Sequence, residues 1–454
     1  MLKGVVQRTI TLQPVLLCFA AGMIFCLTVS CNFVLFVPTI TPIPTSIPFE
    51  KQIESTLSAQ ATPTSEIPNE TLVSGDYLSS ATPAPPENSS QPTSTQVRAL
   101  ESENLLPTLQ VGALATINFI HMVSSESGWG IGSTAGENDH ILRTNDGGVT
   151  WFDVSPPLQV TDAGALNQTE AFFLDNDYAW VSYQPYEKVW FTKDGGVNWG
   201  KSLTDYSGYL GANFWFLDPD HGWMMIFMDA GMSHVYSALL STTNSGSSWE
   251  KILDPSFDDQ LQAFTKTGMV FVDKNTGWIT RDSGGVQPGA YVDVTRDGGY
   301  SWQSINLPPP EQNPEKYNQE YCWMHSPTLF SEADGALVVE CSTYQDEENS
   351  ETAYLFTTKD GGQNWERFDY PGGQMHFVDQ STAFALGREI YKSLDAGFTW
   401  EQVKRVEWDG QFSFVNQELA WAVARSGGAI ALVKTVDGCS TWSLLEPEIR
   451  AGTD

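Results

Sequence analysis

Beyond about residue 110, apolar and polar positions alternate in short runs. Each run ends in a polar turn followed by a small residue and an aromatic or apolar one: FIHMVSSESGWGIG, FFLDNDYAWVSY, FWFLDPDHGWMMI, VFVDKNTGWIT, TLFSEADGALVV, HFVDQSTAFALG and FSFVNQELAWAVA. Period-two alternation bounded by turn residues predicts strands rather than helices. A second phrase follows each run in the same order: TNDGGVTW ending at Trp151, TKDGGVNW at Trp199, TTNSGSSW at Trp249, TRDGGYSW at Trp302, TKDGGQNW at Trp365, SLDAGFTW at Trp400 and TVDGCSTW at Trp442. Each unit therefore reads as four short strands. In the first these are Ile117 to Val123, Gly128 to Gly132, His140 to Thr144 and Thr150 to Val154.

The steps between the seven Trp residues are 48, 50, 53, 63, 35 and 42, the period of a repeated β-unit. Seven four-stranded units predict an all-β, seven-bladed β-propeller, in which each blade covers its neighbour's apolar face and only short edges remain. An open solenoid would need distinct capping repeats. The first and seventh units resemble the others, which favours the ring. The turn phrase has its own chemistry: glycines such as Gly147 and Gly148 supply positive φ. Asp146, Asp194, Asn244, Asp297, Asp360, Asp395 and Asp437 are placed to accept hydrogen bonds from the turn's own amides.

The phrase is the Asp box, or BNR repeat. The combined pattern of F-h-D, then G-W-h-h-G, then T-x-D-G-G-x-x-W resembles the propellers of the photosystem II assembly and stability factor family, over about Thr116 to Leu445. Sialidases, tandem-propeller xyloglucanases and the sortilin ectodomain share the Asp box in other settings. The resemblance implies the fold; the Asp box itself hosts unrelated activities.

The N-terminal region is of another kind. Lys3 and Arg8 precede an apolar run from Val15 to Val37, which reads as an export signal over residues 1–37. Within it LTVSC resembles a bacterial lipobox with Cys31 as the acylated residue. The run also continues past Cys31 far enough to serve as an uncleaved anchor, and the two alternatives stand side by side. Either places the remainder outside the cytoplasmic membrane, anchored to it. Residues 38–110 are dominated by Pro, Thr, Ser, Ala and Gln, a composition that predicts a disordered linker. The propeller is expected over 111–447 and a C-terminal tail over 448–454.

With 23 Lys plus Arg against 55 Asp plus Glu and a formal charge of −32, the surface excludes nucleic acid as a partner. Cys322 and Cys341 flank the first hairpin of the fifth unit and are expected to form a disulfide. Cys439 replaces a turn glycine and has no evident partner. The six His residues show no metal-ligand spacing, and neither a metal nor another cofactor is indicated. No GxSxG elbow or Cys/His nucleophile pair is present. The Arg-Ile-Pro phrase of sialidases is also absent.

Arg281, Arg388 and Arg425 follow the second-strand aromatic by three or four residues in units four, six and seven, and are expected to form a basic patch that binds carboxylates of a partner. Trp323, after the PPPEQNPEKYNQEYC insertion, and Trp408, before the seventh unit, are expected as exposed contact residues. The resulting expectation is a membrane-tethered, non-catalytic binding or assembly scaffold whose partner is another protein, membrane proteins included. The alternative is a carbohydrate-active hydrolase working in the central cleft, with a glycan as ligand.

Overall fold

The computed structural model describes residue 106 and residues 108–452, except 135–138, 159–168, 185, 207–209, 232–233, 257–260, 262–263, 283–287, 310–319 and 343–351. The expected signal or anchor, Cys31 and nearly all of the linker lie outside the described residues. Among the described residues there is no helix long and apolar enough to cross a membrane.

Seven sheets form the ring, each with four antiparallel strands in chain order, and blade 5 has in addition the short strand Thr328–Leu329, which pairs with its second strand. Blade 1 contains Thr116–Met122, Gly128–Ser133, His140–Thr144 and Thr150–Asp153, within a residue of the expected bounds. The first strands, Thr116–Met122, Thr169–Phe173, Gly211–Phe216, Thr265–Phe271, Tyr321–Met324, Gln374–Phe377 and Asp409–Phe414, lie innermost. In up-and-down blades all of these strands begin at one end of the ring, here called the loop end. The Asp boxes close the other end.

Alternation carries the packing. In blade 7, Ala420, Ala422 and Ala424 face blade 6, while Trp421 and Val423 face blade 1. Both faces of the second strand are thus buried, which is why it reads as a continuous apolar run. Seven apolar clusters result, one at every seam from blades 1 and 2 round to blades 7 and 1. Full burial of one large apolar side chain contributes about 1.5–3 kcal/mol. The small residue before the aromatic also has a reason. At Gly222 a Cβ would overlap the Phe216 ring of the adjoining strand.

The Asp box closes its own turn. Asp146 Oδ1 accepts from the Val149 and Thr150 amides at 3.1 and 2.8 Å, and Oδ2 from the Thr150 hydroxyl at 2.6 Å. Thr144 Oγ1 donates to Asp146 and accepts from the Gly148 amide. Asn244 reproduces the arrangement through Ser248, using its Nδ2 as a donor. At Asp437 the hydroxyl and amide of Thr441 hold the carboxyl below the usual carboxylate range. A second local device, read in sequence only as a polar turn, closes the first hairpins: Asp175, Asp218, Asp273, Asp379 and Asn416 accept amides two and three residues on.

Blades are also joined by hydrogen bonds. Second-strand indoles donate to turn carbonyls of the next blade: Trp129 to Asp175, Trp180 to Ser245 and Trp223 to Gly298. Trp421 to Gly147, at 2.8 Å, repeats the contact from the last blade to the first. Ring closure has two further components. Gln411 of blade 7 both accepts from and donates to the Ile120 backbone, and Ser413 accepts from the Met122 amide. Glu448–Arg450, set apart in the sequence as a tail, is a thirtieth strand pairing in parallel with Thr150–Phe152 of blade 1. It buries Ile449 to 1% exposure.

Cys322 pairs directly with Cys341 across the first two strands of blade 5, and their sulfurs are bonded at 2.12 Å. Cys439 is fully buried with φ +73, at the turn position that is glycine in the other six Asp boxes.

Candidate functional site

At the loop end of blade 2, the turn between its second strand (Ala179–Tyr183) and third strand (Lys188–Thr192) gathers ionisable side chains. Tyr183 ends the second strand. Tyr186 lies in the turn with φ +62, and its amide donates to the Tyr183 carbonyl at 2.7 Å. A positive φ costs a non-glycine residue about 1–2 kcal/mol, so packing holds this conformation in place. Glu170 lies on the innermost strand, paired with Ser182. Since Ala171 and Phe173 pack toward blade 1 and Phe172 toward blade 3, alternation turns Glu170 to the side of Phe172. Asp139 immediately precedes the third strand of blade 1.

Burial sets the proton affinities of this cluster. Glu170 is 4% exposed and its Oε2 has no hydrogen-bond partner among the described residues, so burial raises its carboxyl well above the ordinary 4.5. Burial, then the charges of Asp139 and Asp153, raise the Tyr183 phenol. Burial, then Glu170 and Asp139, raise that of Tyr186. Asp139 itself is 1% exposed. The groups around the turn thus comprise a carboxyl and two phenols that burial makes hold their protons more tightly, and a second buried carboxyl group.

Asp153 behaves in the opposite way. Burial, its largest influence, pushes the carboxyl up, but hydrogen bonds from His140, Ser155 and the Leu109 amide, with the charge of His140, outweigh it and leave it below its ordinary value. His140 Nδ1 lies 2.9 Å from Oδ2, the Leu109 amide donates to Oδ2 at 3.0 Å, and Ser155 Oγ donates to Oδ1 at 2.7 Å. Ser155, His140 and Asp153 are not a nucleophile triad. Ser155 and Asp153 both approach the same ring nitrogen, whereas a triad needs them on opposite nitrogens.

The three arginines go to separate partners. Arg281 sits inside blade 4, its Nη1 3.7 Å from Asp293 and its Nη2 donating to Ser304, with its guanidinium over Phe264 and Tyr291. The buried Lys266 lies in the same cluster, and burial pushes its amine down to about 7. Arg388 pairs with exposed Asp409 of blade 7 at 3.0 Å. Arg425 donates to the Asn118 carbonyl at 2.5 Å and joins blade 7 to blade 1. Trp408 is half-buried and edge-on to Trp442, with ring centroids 5.5 Å apart. Trp323 is half-buried on the innermost strand of blade 5. Among the described residues no three His, Cys, Asp or Glu side chains converge on a metal-sized site.

Glu170, Asp139, Tyr183 and Tyr186 were not singled out from the sequence. One signal for Glu170 was present. Ten residues before the second-strand aromatic, or its Ala336 counterpart, the other blades carry Phe119, Asn213, Gly268, Ser326, Gln374 and Gln411, so Glu170 is the one ionisable residue in that column.

No family model matches the chain, and no curated protein matches it. Among solved structures it is similar to an ulvan-cleaving polysaccharide lyase, at 10% identity and a TM-score of 0.44, covering 76% of this chain and 98% of that one. It is also similar to an α-L-arabinofuranosidase from Fusarium graminearum, at 11% identity and a TM-score of 0.39, covering 74% and 98%. A Hadza microbial sialidase has 13% identity and a TM-score of 0.38, covering 60% and 66%. At such identities the likeness establishes the propeller fold alone. The expected non-catalytic binding or assembly scaffold of the photosystem II assembly kind has no counterpart among these neighbours, whose descriptions are of enzymes.

Proposed function

We propose that this propeller is a carbohydrate-active hydrolase whose reaction takes place at the loop end of blade 2, beside the mouth of the ring. The observation that carries the reading is Glu170, a buried carboxyl whose hold on its proton is strengthened by burial, at a turn where a second buried carboxyl, Asp139, also acts on the Tyr186 phenol. Glycoside hydrolysis needs such a division of labour. Glu170 would donate its proton to the glycosidic oxygen as the bond to the anomeric carbon breaks. Asp139 would take a proton from the attacking water or attack the anomeric carbon itself. The phenols of Tyr183 and Tyr186 remain protonated and can donate hydrogen bonds to sugar oxygens. Asp153 has both oxygens engaged by His140, Ser155 and Leu109 and positions the wall of the site.

The apolar N-terminal run supports export, and the Cys322–Cys341 bridge is of the kind that persists in oxidising compartments. The hydrolase would then meet its glycan outside the cell membrane, on a tether.

The test is release of reducing ends from neutral polysaccharides (β-glucan, xylan, mannan, arabinan, galactan) by the wild type and by Glu170→Gln. The wild type should cleave at least one. The variant, with unchanged circular dichroism, should lose about 10²–10⁴-fold, the usual contribution of a general acid. Equal activity of the two proteins, or no cleavage of any of the five, overturns the assignment.

A further inference from the structure

Sixteen tryptophans are present, and among the described residues Trp323 alone has no aromatic, cationic or hydrogen-bonding partner. Those of the Asp boxes and second strands are packed at blade seams, and Trp190, Trp215 and Trp408 also have partners: Lys201, the Phe271 carbonyl and Trp442. Trp323 lies on the innermost strand of blade 5, and alternation assigns its side. Cys322 and Met324 enter the seam with blade 4, so Trp323 turns toward blade 6.

The seam between blades 5 and 6 changes character there. Toward the Asp-box end it is apolar, with Ala336 and Val338 of the second strand packed on Phe377, Ala383 and Ala385. The next residue on that side is Glu340, which pairs directly with Trp323, a spacing of about 4.5–5.5 Å between Cβ atoms in antiparallel pairs. Burial, the largest influence, pushes the Glu340 carboxyl up, but His325, with Nε2 3.4 Å from Oε1, and the Gly373 amide bring it below its ordinary value. An indole and an ionised carboxylate thus share one surface at the loop end, three blades round the ring from Glu170.

We propose that Trp323 and Glu340 form a sugar-binding subsite for a neutral glycan, the indole stacking on the apolar face of a pyranose ring and the carboxylate accepting hydrogen bonds from its hydroxyls. The proposal deepens the hydrolase reading and rests on it for the glycan as ligand. Neutrality follows from charge. Glu340, the carboxyl groups near blade 2 and a net charge of −32 all oppose a uronate or sulfated chain. A neutral pyranose offers what this pair recognises: a patch of C–H groups on one side and donors at the edge.

Binding is measured by calorimetry with cellohexaose, mannohexaose, xylohexaose and, as the anionic control, hexagalacturonate, using the Glu170→Gln variant so that the ligand survives. At least one neutral hexasaccharide should bind and hexagalacturonate should not. Adding Trp323→Ala should weaken binding by about tenfold or more, equivalent to about 1.4 kcal/mol. Trp323→Phe, which keeps an aromatic face, should stay within about threefold of the parent, and Glu340→Gln should weaken binding with no loss of thermal stability. Unchanged affinity in Trp323→Ala overturns the subsite, as does failure of all three neutral ligands to bind or preferential binding of hexagalacturonate. If the wild type hydrolyses glycans while Trp323→Ala binds normally, the subsite falls and the hydrolase stands. If Trp323-dependent binding occurs without any hydrolysis by the wild type, the subsite stands and the hydrolase falls.

Discussion

Glu170→Gln and Asp153→Asn should alter stability with opposite dependences on pH. Glu170 has its folded-state carboxyl raised by burial, so the folded protein holds this proton more tightly than the unfolded chain, which ionises near 4.5. As pH rises above 4.5 the wild type therefore loses stability, by about 1.4 kcal/mol per pH unit until the folded-state value is reached. The neutral amide that replaces the carboxyl in the variant carries no such penalty. Glu170→Gln should consequently gain on the wild type as pH rises above 4.5. Asp153 is the reverse case: its folded-state carboxyl lies below the ordinary 3.8, and its contribution is present above that value and lost as pH falls through the folded one. Replacing it by Asn should cost about 1.5–3 kcal/mol at neutral pH, the range for hydrogen bonds to a charged group, and progressively less under acid. Urea denaturation of the three proteins from pH 4 to pH 8 reads both trends. A Glu170→Gln difference that is flat with pH, or both variants trending the same way, would refute the assigned proton affinities.

Ring closure gives two further expectations. Trp421→Phe, which removes the indole donor to Gly147, should cost about 1 kcal/mol, and Ile449→Ala about 2–5 kcal/mol, both by denaturation; losses below about 0.5 kcal/mol would mean the ring does not depend on this seam. At Cys439, where φ is +73, Cys439→Gly should be more stable than Cys439→Ala by about 1 kcal/mol despite its smaller side chain, because only glycine relieves the left-handed backbone. Opening the Cys322–Cys341 bridge, which spans a sequence separation of 19, should cost about 3 kcal/mol, read as a fall in the urea midpoint of the Cys322→Ala/Cys341→Ala protein; an unchanged midpoint contradicts that.

The blades were legible because their determinants are local. Asp146, Thr144 and Thr150 complete their hydrogen bonds within a few residues, so the device appears intact in the chain each time it recurs. The closing strand was not legible. Glu448–Arg450 has no periodicity of its own, and its partner lies about 300 positions away. The arginines show the same limit from the side of function. Spacing placed Arg281, Arg388 and Arg425 in one register, but Asp293, Asp409 and the Asn118 carbonyl engage them separately. Glu170 was visible only as an odd residue in its column, since its burial depends on packing across blades. Trp323 stands out in the sequence for its place after an insertion; its side of the strand becomes clear only from the seam residues on either side.

The most direct test of the central claim, that Glu170 supplies the proton to a departing glycosidic oxygen, compares substrates that differ only in leaving group. The susceptible glycoside is prepared with an ordinary sugar leaving group and with a dinitrophenolate, which departs without protonation. If the claim is right, Glu170→Gln loses about 10²–10⁴-fold on the first and retains most of the wild-type rate of glycosidic bond cleavage on the second, whereas Asp139→Asn fails on both. Equal losses of Glu170→Gln on the two substrates, or full activity on both, would contradict it.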